Sequence, residues 1–302
     1  MQRIVFLSKE SLLPYTVIMN TKALWRIILT ILVSLSLFVV FLSLGKVSSI
    51  LMDPIITAQE LIDQAPSMTL GNLILQQPSS TFLVFLLGLV TALVGIPYLK
   101  AKGFVNRWLG INFVIWGLGA WTAGLSYQAF GAALKCVGNE PCAWTNGVEL
   151  FYMVLTVYSI NALLVAYSGL TEDPVKSRLQ RFAYFSILSY SLFQGIGMVV
   201  PVKFLLSYEF MLIFLATNLI LMMTISYRRK AQALHARLWR IWLLFLGVNA
   251  AYFVALFAGY ALPLYESTGI WFNENDVLHI LLLGWMLLWV TVVKPSDFPQ
   301  SS

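Results

Sequence analysis

The sequence predicts an all-α fold, a polytopic membrane helix bundle with one N-terminal anchor helix and a seven-helix core. The first observation behind this prediction is that 59% of the 302 residues are hydrophobic and only 11% are charged. Soluble globular domains have about 45–50% apolar and about 25% charged residues. The second is a series of apolar stretches of membrane-spanning length, and the third is the placement of Lys and Arg between them. This composition excludes a soluble enzyme and a disordered chain.

Eight stretches reach the roughly 20 mostly apolar residues that a spanning helix needs. The first follows Lys22 and Arg26, so a cleaved secretory signal is the alternative interpretation. Its apolar length exceeds that of a signal core and no small-residue cleavage pattern follows it, which favours an uncleaved helix. The eight stretches are residues 24–44, 81–99, 108–132, 148–170, 182–200, 204–226, 238–262 and 277–293.

The chain divides into two parts before the second stretch. Residues 1–79 are predicted to hold a cytoplasmic leader, the first spanning helix and an outer loop. Residues 80–302 are predicted to form a compact seven-helix transmembrane bundle, because only short connections join these helices. In the outer loop, Ile56, Leu61 and Ile62 have helix-like spacing, which predicts a short helix at the membrane interface.

The third stretch has a glycine at every seventh position, and seven residues are close to two helical turns. The glycines therefore form a stripe on one face of the helix. Small residues let helices approach closely in lipid, so the stripe predicts packing against a neighbouring helix. It consists of Gly110, Gly117, Gly124 and Gly131.

The distribution of basic residues predicts the orientation in the membrane. Of the 19 Lys and Arg residues, 16 lie on one side of the predicted helices. The positive-inside rule assigns that side to the cytoplasm, so both termini are expected there, in a bacterial-type inner (plasma) membrane. The net charge of +6 would point to nucleic acid only if the basic residues clustered on a water-exposed face. The predicted partner is therefore the lipid bilayer and not nucleic acid.

Both cysteines, Cys136 and Cys142, lie in the predicted outer loop between the third and fourth stretches. Five residues separate them, including Gly138 and Pro141, so they can close a small disulfide in an oxidising compartment. A metal or redox pair is the alternative. The spacing differs from the two-residue patterns of such sites and no third ligand is near, which favours the disulfide.

Several polar side chains fall inside the apolar stretches or directly before the last one, and an ionisable group at that depth is costly and usually faces the bundle interior or a wet cavity. The topology places these residues in the outer half of the bundle. We therefore predict that Gln128, Glu149 and His279 meet in one polar pocket. For the last stretch, helix capping by Asn273 and Asp276 is an alternative explanation. The polar residues are Ser126, Gln128, Glu149, Tyr152, Glu209, Asn275, Asp276 and His279.

The order of helices and these polar residues resembles the superfamily of alkaline ceramidases and progestin/adiponectin-type receptors, seven-helix proteins that bind zinc in the membrane. The stretch from Gly124 to Phe130 resembles the Ser-to-His motif of the second core helix, with glycine in place of the serine and Gln128 in place of the histidine. Glu149 stands in the acidic pair of the third core helix. Asn275 and His279 occupy the two histidine positions of the seventh.

The resemblance implies a zinc ion bound by His279, Asn275 and Gln128, with Glu149 and Asp276 as catalytic groups. Three hypotheses follow for the function. The first is a metal-dependent hydrolase of a lipid amide or ester, in which Glu149 or Asp276 is the general base. In this hypothesis a cation held by His279, Asp276 and Glu149 polarises water and the lipid. The second is a receptor- or sensor-like bundle that binds a lipid or small molecule without turnover. The third is a small transporter in which Glu149, Glu209 and His279 relay ions or protons, although no broken helix pair or inverted repeat supports it.

Overall fold

The computed structural model describes residues 21–44, 56–71, 73–136, 141–200 and 202–298. The predicted leader, residues 1–20, lies outside the described residues, as do residues 45–55, which include the start of the predicted outer loop. The described part of the chain is an all-α bundle with one small antiparallel sheet. Eight of its helices are long and apolar enough to cross a membrane, and each coincides with one predicted stretch.

The eight long helices are α1 (Thr21–Leu44), α3 (Pro78–Lys100), α4 (Phe104–Ala123), α6 (Gly147–Ser168), α7 (Val175–Val199), α8 (Tyr208–Arg228), α9 (Ala233–Ala258) and α11 (Glu274–Val292). The short elements are α2 (Ala58–Asp63), β1 (Ser67–Leu70), β2 (Leu73–Gln76), α5 (Gly131–Cys136) and α10 (Ala261–Thr268). A π-helical turn, Gly124–Ala129, continues α4.

Helix ends differ from the predicted boundaries where local chemistry ends the helix. Helix α8 begins four residues later than predicted because the Ser207 hydroxyl caps it, accepting from the Phe210 amide at 3.3 Å. Helix α9 ends at Ala258 because Gly259 adopts a left-handed backbone, with φ of 58°. Short helix α10 follows, so the predicted stretch to residue 262 joins two helices.

The outer loop forms more structure than the single short helix predicted. Helix α2 is closed by a capping box between Thr57 and Glu60, and the hairpin of β1 and β2 follows it. The predicted apolar positions, among them Leu61, pack against the two cysteines and Ala132. Gln76 joins these parts, because its side chain donates to the Leu61 carbonyl at 3.1 Å and accepts from the Ala132 amide at 2.8 Å.

Six of the long helices close a ring in the order α3, α4, α6, α8, α9 and α11, with α11 returning to α3. Helix α7 packs on the outside of α6, and α1 packs on the outside of α7. A hydrogen bond between the Ser34 and Ser191 hydroxyls, 2.5 Å long, joins α1 to α7. The six ring helices therefore surround the interior of the bundle, and α1 and α7 lie outside the ring.

The close contact of α3 with α4 depends on glycines from both helices. A Cβ atom added at Gly117 would lie 2.5 Å from the Gly88 carbonyl oxygen, and one at Gly95 would lie 2.9 Å from the Gly110 carbonyl oxygen. Gly124 meets Val84 of the same neighbour. Three of the four predicted glycines therefore face α3, as the spacing predicts, while Gly131 lies against the π-helical turn and Gln76.

We expect Gly117→Ala to destabilise the protein by about 1–3 kcal/mol, because the new methyl group would force α3 and α4 apart. The matched control is Gly247→Ala in α9, where an added Cβ meets no atom within 4 Å. Thermal unfolding of both purified variants in detergent measures the difference. Equal melting temperatures for the two variants would contradict this account of the interface.

Candidate functional site

A cavity of about 710 Å³ lies inside the six-helix ring. Every ring helix contributes residues to its wall, as does the π-helical turn, whereas none of the lining residues comes from α1 or α7. Two reference points define the ends of the bundle. The disulfide end lies at Cys136 and Cys142, and the arginine end lies where α8 ends and the connection to α9 begins, at Arg228 and Arg229.

Aromatic residues form the floor of the cavity toward the arginine end. The rings of Trp242, Trp285 and Trp289 lie with centroids 5.3–5.9 Å apart. Their indole N–H groups all have protein acceptors, since Trp289 donates to the Tyr98 hydroxyl at 3.0 Å and Trp285 donates to the Ile241 carbonyl at 2.9 Å. The Trp242 indole donates to the Tyr167 hydroxyl. The floor is therefore apolar toward a ligand.

Polar residues line the cavity toward the disulfide end. Gln128 and His279 are each 6% exposed, and neither Gln128 Oε1 nor His279 Nδ1 has a hydrogen-bond partner among the described residues. A buried polar atom without a partner costs about 1–3 kcal/mol, so a polar ligand group that reached either atom would stabilise the protein. The polar lining residues at this end are Gln77, Tyr127, Gln128, Tyr152, Tyr208, Tyr252, Asn275 and His279.

The π-helical turn brings Tyr127 and Gln128 to the cavity wall. Such turns insert one extra residue in a helix and are frequent at functional sites. Ser126 of the same turn is buried outside the lining, and its hydroxyl accepts from the Asn146 side chain at 2.7 Å. Asn146 in turn caps α6, accepting from the Glu149 amide at 3.0 Å. The turn is thereby fixed to the start of α6.

The structure does not bring Glu149 to the cavity. Its carboxylate is 2.6 Å from Lys135 Nζ and accepts from the Thr145 hydroxyl at 2.8 Å, and it is absent from the lining. Lys135 also lies 5.5 Å above the Tyr127 ring, and Tyr127 packs edge-on against Tyr152, with ring centroids 5.7 Å apart. Glu149 therefore does not line the cavity, but it pairs with Lys135, which lies over the ring of the lining residue Tyr127.

Asp276 is likewise outside the cavity lining, and the capping explanation accounts for its position. Its carboxylate accepts from the Asn273 amide at 2.9 Å, and the Asn273 side chain accepts from the Asp276 amide at 3.0 Å. This capping box turns Asn275 and His279 toward the cavity. Glu209, in the first turn of α8, is exposed and does not line the cavity.

The donor set around His279 does not match a zinc site. Zinc prefers imidazole, thiolate and carboxylate ligands, and the other two residues predicted to bind it, Gln128 and Asn275, offer neutral amides. Both acidic residues predicted nearby have other partners, Glu149 with Lys135 and Asp276 with Asn273. Within the described residues, no group of three or more His, Cys, Asp or Glu side chains could hold a metal ion.

The cysteine sulfurs lie 2.07 Å apart, at bonding distance, as the sequence predicts. Their Cα atoms are 4.1 Å apart, slightly closer than the usual range of 4.4–6.8 Å. The Ala143 amide donates to the Lys135 carbonyl at 2.8 Å. This loop therefore holds the backbone of Lys135 next to α6, where its side chain meets Glu149.

Sequence reasoning missed several lining residues. Asn112 and Asn249 lie in the cavity wall, and an Asn inside an apolar stretch is itself a signal of an interior position. The tryptophans of the floor carry no comparable signal, because Trp is common wherever a membrane helix meets the interface.

The chain matches none of the protein-family models, curated proteins or solved structures with which it was compared.

We expect Lys135→Met to destabilise the protein by roughly 3 kcal/mol, because it leaves the buried Glu149 carboxylate without its cation. The double variant Lys135→Met/Glu149→Gln removes the charge as well and should recover most of this loss. Thermal unfolding in detergent compares the variants. A single variant that melts like the wild type, or a double variant that gains nothing, would show that the ion pair does not stabilise this end.

Proposed function

We propose that the chain is a multi-pass membrane protein that binds an uncharged amphiphile in its central cavity without turnover. The observation that supports this most directly is the character of the lining. Among the lining residues of the described chain there is no Asp, Glu, Lys or Arg, although the cavity is polar at one end and aromatic at the other. Ligand pockets of this volume usually combine an apolar wall with a few placed polar groups.

The length of the cavity supports an elongated ligand. On α11 the lining runs from Asn275 to Trp289, which at 1.5 Å per residue is about 21 Å along the helix axis. One leaflet of the hydrocarbon core is about 15 Å thick, half of the whole. A molecule with an acyl-like chain therefore fits with its chain toward the tryptophan floor.

The polar end suits a neutral head group that forms hydrogen bonds. Gln128 Oε1 accepts hydrogen bonds, and a neutral imidazole nitrogen either donates or accepts. A hydroxyl or amide group of a ligand could satisfy both Gln128 and His279. A carboxylate or phosphate would find no cationic side chain in the lining, and its burial would be costly.

The hydrolase hypothesis requires a base or a metal that reaches the ligand. Glu149 is paired with Lys135 and Asp276 accepts from the Asn273 amide, so neither carboxylate is placed to act on a molecule in the cavity. The transporter hypothesis needs Glu149, Glu209 and His279 along one path, and of these His279 alone lines the cavity. Binding without turnover needs neither arrangement.

The orientation of the chain in the membrane and the role of α1 are part of the same proposal. We infer that both termini face the cytoplasm, which the distribution of basic residues supports, and that α1 is an anchor added to a seven-helix core. The position of α1, which packs on α7 outside the ring, supports the second inference. Membership of the ceramidase and progestin/adiponectin receptor superfamily stays a prediction.

The test is native mass spectrometry of the purified protein, which should retain one uncharged amphiphile per chain. Ala216→Trp, which fills the cavity from α8, should lose this molecule. The matched control is Ile220→Trp on the same helix, because Ile220 is 61% exposed and outside the lining, and it should retain the ligand as the wild type does.

Two outcomes would contradict the proposal. If the wild type and Ala216→Trp retain the same molecules in the same amounts, the cavity is not where they bind. If the retained amphiphile is cleaved on incubation, and the cleavage is abolished by Glu149→Gln or by Asp276→Asn, the protein is a hydrolase instead.

A further inference from the structure

A second membrane-facing feature lies outside the ring, where α1 and α7 pack side by side. The Ser34 hydroxyl donates a hydrogen bond to the Ser191 hydroxyl at 2.5 Å. Phe41 lies close to Gly195, where an added Cβ atom would be 2.2 Å from the Phe41 ring. The later residue of α1 contacts the later residue of α7, so α1 and α7 run parallel. Both helices therefore begin at the arginine end.

Three arginines stand at this shared beginning. Arg26 is exposed on α1, next to Ile27, which is buried against the bundle, while Arg178 and Arg181 are exposed on α7. Arg26 lies eight residues before Ser34 on α1, and Tyr184 lies seven residues before Ser191 on α7, so the two come to similar heights along the parallel helices. Arg181 lies three residues before Tyr184. Positions three apart are neighbours on a helix surface, so Arg181 shares a face of α7 with Tyr184, close to the height of Arg26 on α1. We use the term groove for the junction of α1 and α7 at this height.

Two exposed acidic residues, Glu172 and Asp173, precede α7 near this groove. Neither α1 nor α7 has an acidic residue in its first turn, and the ion pairs of the described chain involve none of the three arginines. The Asp173 carboxylate accepts from the Ser177 hydroxyl at 2.5 Å, which is the main reason that the pKa of Asp173 is lowered. The group therefore stays negatively charged, but its charge is directed toward the start of α7. Lys176 lies over the Phe104 ring, 5.6 Å from its centroid.

The surroundings of the groove place it at a membrane boundary rather than on a water-facing surface. Trp25, 67% exposed, precedes Arg26, and Phe185, 70% exposed, follows Tyr184. Aromatic residues beside basic ones at helix ends mark the head-group level of a bilayer. A partner at this level with apolar chains and a negative head satisfies both the aromatic and the cationic residues.

We propose that the groove between α1 and α7 at the arginine end binds the phosphate of an anionic phospholipid, held by Arg26 and Arg181. Basic sites between spanning helices recognise such head groups, and guanidinium groups match phosphate geometry with two parallel hydrogen bonds. The lipid would bridge α1 to α7 and so fasten the peripheral helix to the bundle. This site is separate from the central cavity and does not depend on what the cavity binds.

The test is retention of phosphatidylglycerol by the purified full-length protein in native mass spectrometry, with phosphatidylcholine as the neutral comparison lipid. Wild type should retain phosphatidylglycerol in preference. Arg26→Gln/Arg181→Gln should lower this retention roughly thirtyfold, because each basic residue near a membrane surface contributes about fivefold to the attraction. The matched control, Arg228→Gln/Arg240→Gln, removes the same charge from exposed positions at the same end and should change retention less than twofold.

Two results would overturn the proposal. Equal losses of phosphatidylglycerol in the two double variants would mean that its retention depends on the total charge and not on the groove. Unchanged retention in Arg26→Gln/Arg181→Gln would mean that these arginines do not hold it. Circular dichroism of both variants, which should show wild-type helix content, separates a lost site from a lost fold.

Discussion

In hydrocarbon no water is available to satisfy a polar group, so every polar atom at that depth needs a partner within the protein or in a ligand. At the disulfide end of the bundle, linked pairs of side chains satisfy many of these polar atoms. Asn273 and Asp276 close the start of α11, Asn146 ties the π-helical turn to α6, and Lys135 neutralises Glu149. The remaining arrangement follows from these pairs, because they fix the ends of the helices that surround the cavity.

Fourteen buried side-chain atoms of the described residues have no hydrogen-bond partner. Of the residues that carry them, Gln128 and His279 are the two that line the cavity. In our proposal, a ligand with a neutral, hydrogen-bonding head group supplies the missing hydrogen-bond partners of both residues. A zinc ion would not, because the neighbouring amides are poor ligands for it and the nearby carboxylates are engaged.

The sequence was sufficient for features that depend on local chemistry. Hydropathy and length predict the eight long helices, the seven-residue spacing of glycine predicts the face of α4 that meets α3, and the Asn273–Asp276 pattern allows the capping box. It was insufficient where a residue's partner is set by tertiary packing. Glu149 looks like a pocket residue by its place on α6, but Lys135 reaches it from across the disulfide loop. No local pattern predicts the π-helical turn that delivers Gln128.

A structure of the wild-type protein in lipid nanodiscs, at a resolution that shows bound lipid, tests the central claim most directly. The account predicts one elongated density inside the six-helix ring, with its polar end within hydrogen-bond distance of Gln128 Oε1 and His279 Nδ1 and its chain against Trp242, Trp285 and Trp289. A cavity filled by ordered water alone, or a metal ion bound to His279, would contradict it.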